Sequence, residues 1–362
     1  MEIVYIAPME LPVPHQSGAV EEIVWQLGKR LKDIAKVYIY NPLSDGMIFK
    51  LLQGLRFSFY NCSHTCIVHS HNLYASLAIS NIPGNFNHIL TLHYPPNITK
   101  SKWRKKALKS ALKHLDFMKT IITVPSLYVK HILKGMGIRN VIYIPNGVDT
   151  ELFSPLKRSE EIREKMLGGK DVLIVNVGRI HPDKNQLPLL SALKELVTVR
   201  GYKNVKLILI GPKSGTYKGA ATNPYYNFLI NYIQKNGLKQ YVTLLELPRA
   251  QVAKILASSD IYVHPSKVET APLAVLEAMA SQLPVIAFDL PYYRGYLINQ
   301  LNSLLVTPYD INMLTEYIID LIENPQLRKK IAKNALRVAT EVFSWNVIVQ
   351  RYIRLYRILT LQ

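Results

Sequence analysis

Short apolar runs alternate with segments of helical period along almost the whole chain. EIVYIAP, KVYIYN, CIVHSH, HILTLHY, TIITVPS and VIYIPNG read as strands in the first half, with helical patterns near 19–33, 73–80, 101–118 and 126–136. In the second half the strands are DVLIVNVG, VKLILIG, VTLLEL, IYVHPS, PVIAFD and SLLV, and three helical segments near 309–324, 326–341 and 345–360 close the chain. Near-continuous Val/Ile/Leu strands separated by helices predict parallel sheets covered on both faces. Two such sets predict an α/β chain of two Rossmann-like domains facing each other across a cleft. The join falls in IPNGVDTELFSP, where Pro145, Gly147 and Pro155 punctuate a polar stretch. Residues 1–154 are assigned to the first domain and 155–344 to the second, with the last helix, 345–362, packing back on the first.

Composition narrows the class. The chain has 362 residues, 49% of them hydrophobic and 19% charged, which is ordinary for globular domains. It contains no apolar run long enough to span a bilayer. MEIVYIAPME lacks the basic start and cleavage pattern of a secretory signal, so a cytoplasmic chain is expected. Cys62 and Cys66 lie near His64, His69 and His71 in a spacing that matches no standard zinc pattern, so no metal site is assigned.

Ligands of open parallel sheets bind beyond the carboxyl ends of the strands. That rule directs attention to His93, Gly178, Arg179, Gly211, the run from Pro265 to Glu269, and Asp289. Residues 268–279, VETAPLAVLEAM, hold Glu269 in a loop and Glu277 within an otherwise apolar helix. The helix is expected to begin near Ala271, with Thr270 as N-cap and Pro272 in its first turn. Its free N–H groups favour a phosphate. A buried carboxylate needs donors, and ligand hydroxyls would serve; a solvent-reaching Glu277 or one paired with a nearby Lys is the plainer reading. At the other strand tip, RIHPDKN supplies Arg179 and Lys184, a fork and a compact charge for a diphosphate.

IPNGVDTELFSP, VGRIHPDKNQLPLLSAL, LILIGP, ASSDIYVHPSKVETAPLAVLEAMA and FSWNVIVQRYIRLY together resemble the retaining GT-B glycosyltransferases of family 4. The likeness runs along essentially the whole chain. It implies sugar transfer from a nucleotide diphosphate with retention at the anomeric carbon, without a metal or other cofactor. By position it implies that Glu277 holds the ribose hydroxyls and that Glu269 lies at the sugar beside the reacting carbon. It also implies that Arg179 and Lys184 neutralise the leaving diphosphate, and that His93 of TLHYPP meets the donor sugar. Gly178 and the stretch Thr270, Ala271, Pro272, Leu273 fall on the donor side, and Gly18 and Ala19 align with the glycine-rich turn near the phosphates. The departures mostly remove glycine: Ala19, Pro272, Gln282 and Ser303 stand where the family has glycine, and Gly295 replaces a carboxylate.

Charge adds a second feature. The net charge is +19, and residues 100–139 hold 11 basic residues against one acid. SKWRKKALKSALKHLDFM places Trp103, Ala107, Leu108, Ala111, Leu112 and Leu115 on one helical stripe. Lys102, Arg104, Lys105, Lys106, Lys109 and Lys113 occupy the remainder. The plain reading is a peripheral helix with solvated lysines, yet the cations also suit an anionic membrane or a phosphate-rich polymer. Family members that work on lipid-linked acceptors favour the membrane. The expected function is therefore a glycosyltransferase acting on a lipid-linked or glycan acceptor, peripheral at the inner face of the membrane. Two rival readings are a GT-B enzyme with a nucleic-acid acceptor and a catalytically decayed GT-B binding protein.

Overall fold

In the computed structural model, residues 1–7, 18–41, 66–84, 86–94, 101–213 and 223–361 are described. The chain divides into two units, Met1–Gly147 with Trp345–Gln362, and Val148–Ser344. Each is built on a six-stranded sheet whose recorded pairings are all parallel.

The first sheet comprises β1 (Glu2–Ile6), β2 (Lys36–Tyr40), β3 (Cys66–Ser70), β4 (Phe86–Thr91), β5 (Ile121–Val124) and β6 (Val141–Tyr143), in the order β2-β1-β3-β4-β5-β6. Its helices are α1 (Ala19–Leu31), α2 (Leu73–Ile79), α3 (Lys102–Phe117) and α4 (Leu127–Gly135). All residues of β3 are buried, as expected of a strand covered on both faces. The edge strand β2 alternates between exposed and half-buried positions.

The second sheet comprises β7 (Val172–Val177), β8 (Val205–Ile210), β9 (Val242–Leu245), β10 (Ile261–His264), β11 (Val285–Phe288) and β12 (Leu304–Val306), in the order β12-β11-β10-β7-β8-β9. Its helices are α5 (Glu160–Leu167), α6 (Leu187–Thr198), α7 (Pro224–Lys235), α8 (Arg249–Ala257), α9 (Leu273–Ala280), α10 (Ile311–Glu323) and α11 (Pro325–Phe343). Strand order reverses between β7 and β10, the point at which an open α/β sheet offers its ligand crevice. At the end of β8, Gly211 adopts φ +158, and a Cβ there would sit 2.0 Å from the Gly178 carbonyl oxygen. Only glycine lets these two strand ends approach so closely.

The division falls at Gly147, not after residue 154. The Val148 amide donates to the Phe343 carbonyl, and Phe153 is fully buried in the second core, which ties residues 148–154 to the second unit. The last helix, α12 (Trp345–Thr360), belongs to the first unit. A Cβ on Gly147 would lie 2.4 Å from the Trp345 indole, so the absent side chain makes room for the start of α12. Arg30 of α1 lies over the same indole, 6.0 Å from its centroid. Among the described residues, no helix is long and apolar enough to cross a membrane.

Candidate active site

β7 and β10 end side by side at the reversal point, and the loops beyond them are stitched together. The Asn185 side-chain amide donates to the Pro265 carbonyl (3.1 Å), and the Lys267 amide donates to the Asp183 carbonyl (2.9 Å). Asn185 takes a left-handed φ of 53, a conformation asparagine tolerates better than most residues. This stitching brings Lys184 onto Glu269: Nζ lies 2.5 Å from Oε1, and the carboxylate is buried.

A second donor reaches the same oxygen. His264 Nε2 lies 2.9 Å from Glu269 Oε1, and Tyr262 OH lies 3.0 Å from His264 Nδ1. An ionised carboxylate only accepts, so His264 carries its proton on Nε2 and accepts a hydrogen bond at Nδ1 from the Tyr262 hydroxyl, which also lies 3.4 Å from the Val177 carbonyl oxygen. Burial pushes the His264 imidazole down, against the pull of Glu269, which favours this neutral form. Burial alone would raise the Glu269 carboxyl. The Lys184 charge and the His264 hydrogen bond outweigh it and hold the group well below the usual carboxylate range. Both donors land on Oε1, leaving Oε2 without a hydrogen bond among the described residues.

Glu277 lies in α9 between Leu276 and Ala278, buried in the apolar core. Its partner is an arginine: Arg249 Nη2 stands 2.8 Å from Glu277 Oε1, with the guanidinium 5.1 Å from the Phe153 ring centroid. Oε1 forms no aligned hydrogen bond, so this approach is an ion pair set by charge and packing. Arg249 opens α8 directly after Pro248. Neither Arg249 nor His264 stands out in the sequence as a partner of the glutamates. One follows a proline at a helix start, and the other ends an apolar strand.

The start of α9 differs from expectation. The helix begins at Leu273, and Pro272 occupies the N-cap with no side-chain cap bond. Proline disfavours helical geometry at the residue before it, which keeps Ala271 outside the helix and removes Thr270 from the capping position. Thr270 and Ala271 are half-buried in the loop, whereas Pro272 and Leu273 are buried. Gly178 and Arg179 are half-buried at the tip of β7, where the Arg179 carbonyl accepts from the Gln186 side chain (2.9 Å). Gln282, after α9, adopts φ 60, the left-handed conformation that glycine takes without strain. Ser303 is fully buried, its hydroxyl donating to the Ile298 carbonyl (3.2 Å). Gly295 adopts φ 101.

In the first unit, Gly18 is the N-cap of α1, and Ala19 is its first residue. His93 follows β4 and is largely buried, with Nε2 2.8 Å from His71 Nδ1. Cys62 and His64 lie outside the described residues. Among the described residues, no group of three or more His, Cys, Asp or Glu side chains is placed to hold a metal ion.

The basic helix is α3. Lys102, Arg104, Lys105, Lys106, Lys109 and Lys113 are all exposed. Of the expected inward stripe only Leu112 and Leu115 are buried; Leu108 and Ala111 are half-buried and Ala107 is exposed. Trp103 is 75% exposed, contrary to its place on that stripe. Packing thus involves mainly the second half of the helix. Its one acid, Asp116, is buried and accepts the amides of Arg139 and Asn140 (2.9 and 2.8 Å), so it does not offset the cations.

Two families match the chain: "Glycosyl transferases group 1" over residues 157–338 and "Glycosyltransferase Family 4" over residues 16–152. An Escherichia coli relative, UDP-Gal:alpha-D-GlcNAc-diphosphoundecaprenol alpha-1,3-galactosyltransferase, is 27% identical over 62% of this chain and 58% of its own length. The MMP alpha-(1->4)-mannosyltransferase of Mycolicibacterium hassiacum is 26% identical over 74% of this chain and 64% of its own. The chain thus spans about three fifths of these two relatives. Among solved structures, Anabaena Alr3699/HepE in complex with UDP superposes with a TM-score of 0.81 at 17% identity, covering 99% of this chain and 100% of that one.

Proposed function

We propose that this chain, which belongs to the GT-B glycosyltransferases of family 4, moves a sugar from a nucleotide-diphosphate donor to a lipid-linked or glycan acceptor, with retention and without a metal ion. The observation that carries the reading is the Lys184–Glu269 pair at the β7/β10 reversal point, where the fold class binds its ligands. Glu269, ionised and with Oε2 open, faces positive charge developing at the anomeric carbon. Lys184 and Arg179 answer the negative charge that grows on the departing diphosphate. Glu277, fixed by Arg249, takes the ribose hydroxyls, and His93 meets the donor sugar.

The relatives' names support the substrate classes: one is named for UDP-Gal and a diphosphoundecaprenol acceptor, another for a mannosyl transfer. The exposed cations and Trp103 of α3 support residence at an anionic membrane surface, where a lipid-linked acceptor would be met.

A thermal-shift panel of uridine, guanosine and adenosine diphosphates, followed by assay of the matching sugar nucleotides, tests the reading. One diphosphate is expected to raise the melting temperature, and its sugar nucleotides to be consumed. No shift with any of the three, together with no turnover of any donor, would reduce the chain to a non-catalytic GT-B protein.

A further inference from the structure

Three histidines crowd the ends of β3 and β4 in the first unit. His69 is fully buried and has both ring nitrogens occupied: Nδ1 lies 2.7 Å from Tyr356 OH and Nε2 lies 2.7 Å from Thr91 Oγ1. Tyr356, on α12, in turn lies 2.9 Å from Tyr5 OH of β1. The His71 ring stacks on this fixed wall, centroids 4.5 Å apart, and the His71 amide donates to the Ile6 carbonyl (2.8 Å). His71 is thereby held on both its ring face and its backbone.

His71 shares one hydrogen bond with His93, Nδ1 to Nε2 at 2.8 Å. Its other nitrogen, Nε2, is buried and has no hydrogen-bond partner among the described residues. Burial, reinforced by the neighbouring histidines, pushes the His71 imidazole well down, and burial pushes His93 down to about 3. Both rings are therefore neutral, each with one N–H and one lone pair.

Two arrangements satisfy the shared bond. If His93 donated, His71 would carry its own proton on the buried, partnerless Nε2. Orphaned buried N–H groups are rarer than under-satisfied acceptors. If His71 donates from Nδ1, only a lone pair is stranded, and the His93 proton moves to Nδ1. That atom makes no hydrogen bond among the described residues and is not among the fully buried partnerless ones, so it keeps some exposure.

We infer that His71 is a positioning residue that locks His93 in its Nδ1–H tautomer, presenting an N–H donor at the open edge of the ring. The catalytic value of that donor rests on the reading that His93 meets the donor sugar. A donor there recognises a sugar hydroxyl or ring oxygen as an acceptor, and the opposite tautomer would offer only a lone pair.

Long-range 1H–15N correlation spectra of the 15N-histidine-labelled protein test the assignment directly. Wild-type His93 is expected to show a protonated Nδ1. In His71→Phe the signal should move toward a protonated Nε2, with kcat reduced at least tenfold and donor KM little changed. His71→Asn, whose amide can donate from nearly the same position, is expected to restore both the spectrum and most of the rate. A wild-type His93 protonated on Nε2 overturns the inference, even if the Phe variant fails to fold. So does a His93 spectrum indifferent to His71→Phe. Unchanged kcat in His93→Ala would instead overturn the sugar-contact reading and leave the tautomer assignment standing.

Discussion

Arg249 Nη2 stands 2.8 Å from Glu277 Oε1, so the carboxylate buried in the apolar helix α9 already has a cation opposite it before any ligand arrives. The guanidinium is held in turn over the Phe153 ring. In the proposed reading this charged acceptor takes the ribose hydroxyls, and an unpaired carboxylate would instead take up a proton.

Removing one member of this pair therefore separates stability from binding. Breaking a fully buried pair costs about 3–5 kcal/mol. The Arg249 side chain is 26% exposed, so Arg249→Met is expected to cost less, about 1–3 kcal/mol in denaturant unfolding. Glu277→Ala is expected to weaken nucleotide binding by about 1.5–3 kcal/mol, the range of a hydrogen bond to a charged group. The double variant Arg249→Met/Glu277→Leu should recover the stability and not the binding. Unchanged nucleotide affinity by calorimetry in folded Glu277→Ala would rule out the ribose role.

In the proposed transfer, the cations at the tip of β7 answer charge that appears as the glycosidic bond breaks. Lys184→Ala and Arg179→Ala are expected to lower kcat as well as donor affinity. Lys184→Ala carries a further signature. Without the ammonium 2.5 Å away, burial dominates Glu269 and its pKa rises, moving the acid limb of the rate profile to higher pH. A raised KM with unchanged kcat in both variants would reduce the pair to ground-state clamps. EDTA is expected to leave the wild-type rate intact.

The strands and their layering were legible because fully covered strands are apolar throughout, and all twelve runs lie on β-strands of the two sheets. The glutamates were legible as anomalies, one carboxylate in a strand-end loop and one in an apolar helix. Their partners were not. Arg249 and Glu277 are 28 positions apart, Lys184 and Glu269 are 85, and only tertiary packing joins them. The beginning of α9 was misplaced because the restriction Pro272 imposes on Ala271 outweighs Thr270's aptitude for capping. Trp103 was misplaced for a different reason: helical periodicity says which residues share a face, not how far along the helix the packing extends.

Gln282 tests whether the lost glycines matter to the fold. It closes α9 at φ 60, with the Leu283 amide reaching the Ala278 carbonyl (3.0 Å) in the manner of a left-handed helix stop. Left-handed geometry costs a non-glycine residue about 1–2 kcal/mol, partly offset by glycine's greater freedom in the unfolded chain. Gln282→Gly is thus expected to stabilise the protein by about 0.5–1 kcal/mol without altering kcat. A loss of stability in chemical denaturation would mean that the glutamine side chain supplies a compensating contact.

The buried histidines set the acid response of the first unit. Burial first, then neighbouring His93 and His88, push His69 down to about 3, and burial pushes His93 to the same value. The unfolded chain takes up protons near pH 6.5 that these folded rings refuse. Their contribution is therefore intact above 6.5 and lost progressively as pH falls toward 3, by up to about 1.4 kcal/mol per histidine per pH unit. Glu269 acts in the same direction but in a lower window, since a depressed carboxyl contributes fully above about 4.5 and loses that contribution only in stronger acid. Melting temperature is thus expected to fall between pH 6.5 and 4.5, and to fall less steeply in His69→Gln. Identical slopes in the two proteins would assign the acid sensitivity elsewhere.

The outer face of α3 bears on where the protein resides. Lys102, Arg104, Lys105, Lys106, Lys109 and Lys113 are exposed, and the helix's only acid is turned inward to the amides before β6. Each cation near an anionic bilayer contributes on the order of 1 kcal/mol. The six together can reach several kcal/mol, less whatever salt screens or geometry points away. Trp103, 75% exposed among these cations, is free to enter the headgroup layer, where indole rings are favoured. Binding to anionic vesicles is therefore expected at low ionic strength, with little binding to neutral vesicles and loss as salt rises. Changing all six cations to Gln should abolish it while nucleotide affinity is unchanged. Trp103→Ala should weaken it and leave its salt dependence in place, because the indole contributes apolar burial rather than charge. Vesicle sedimentation decides the matter: equal pelleting of wild type and the six-Gln variant would make α3 a merely solvated face, and tighter binding to duplex DNA than to anionic vesicles would turn it toward nucleic acid.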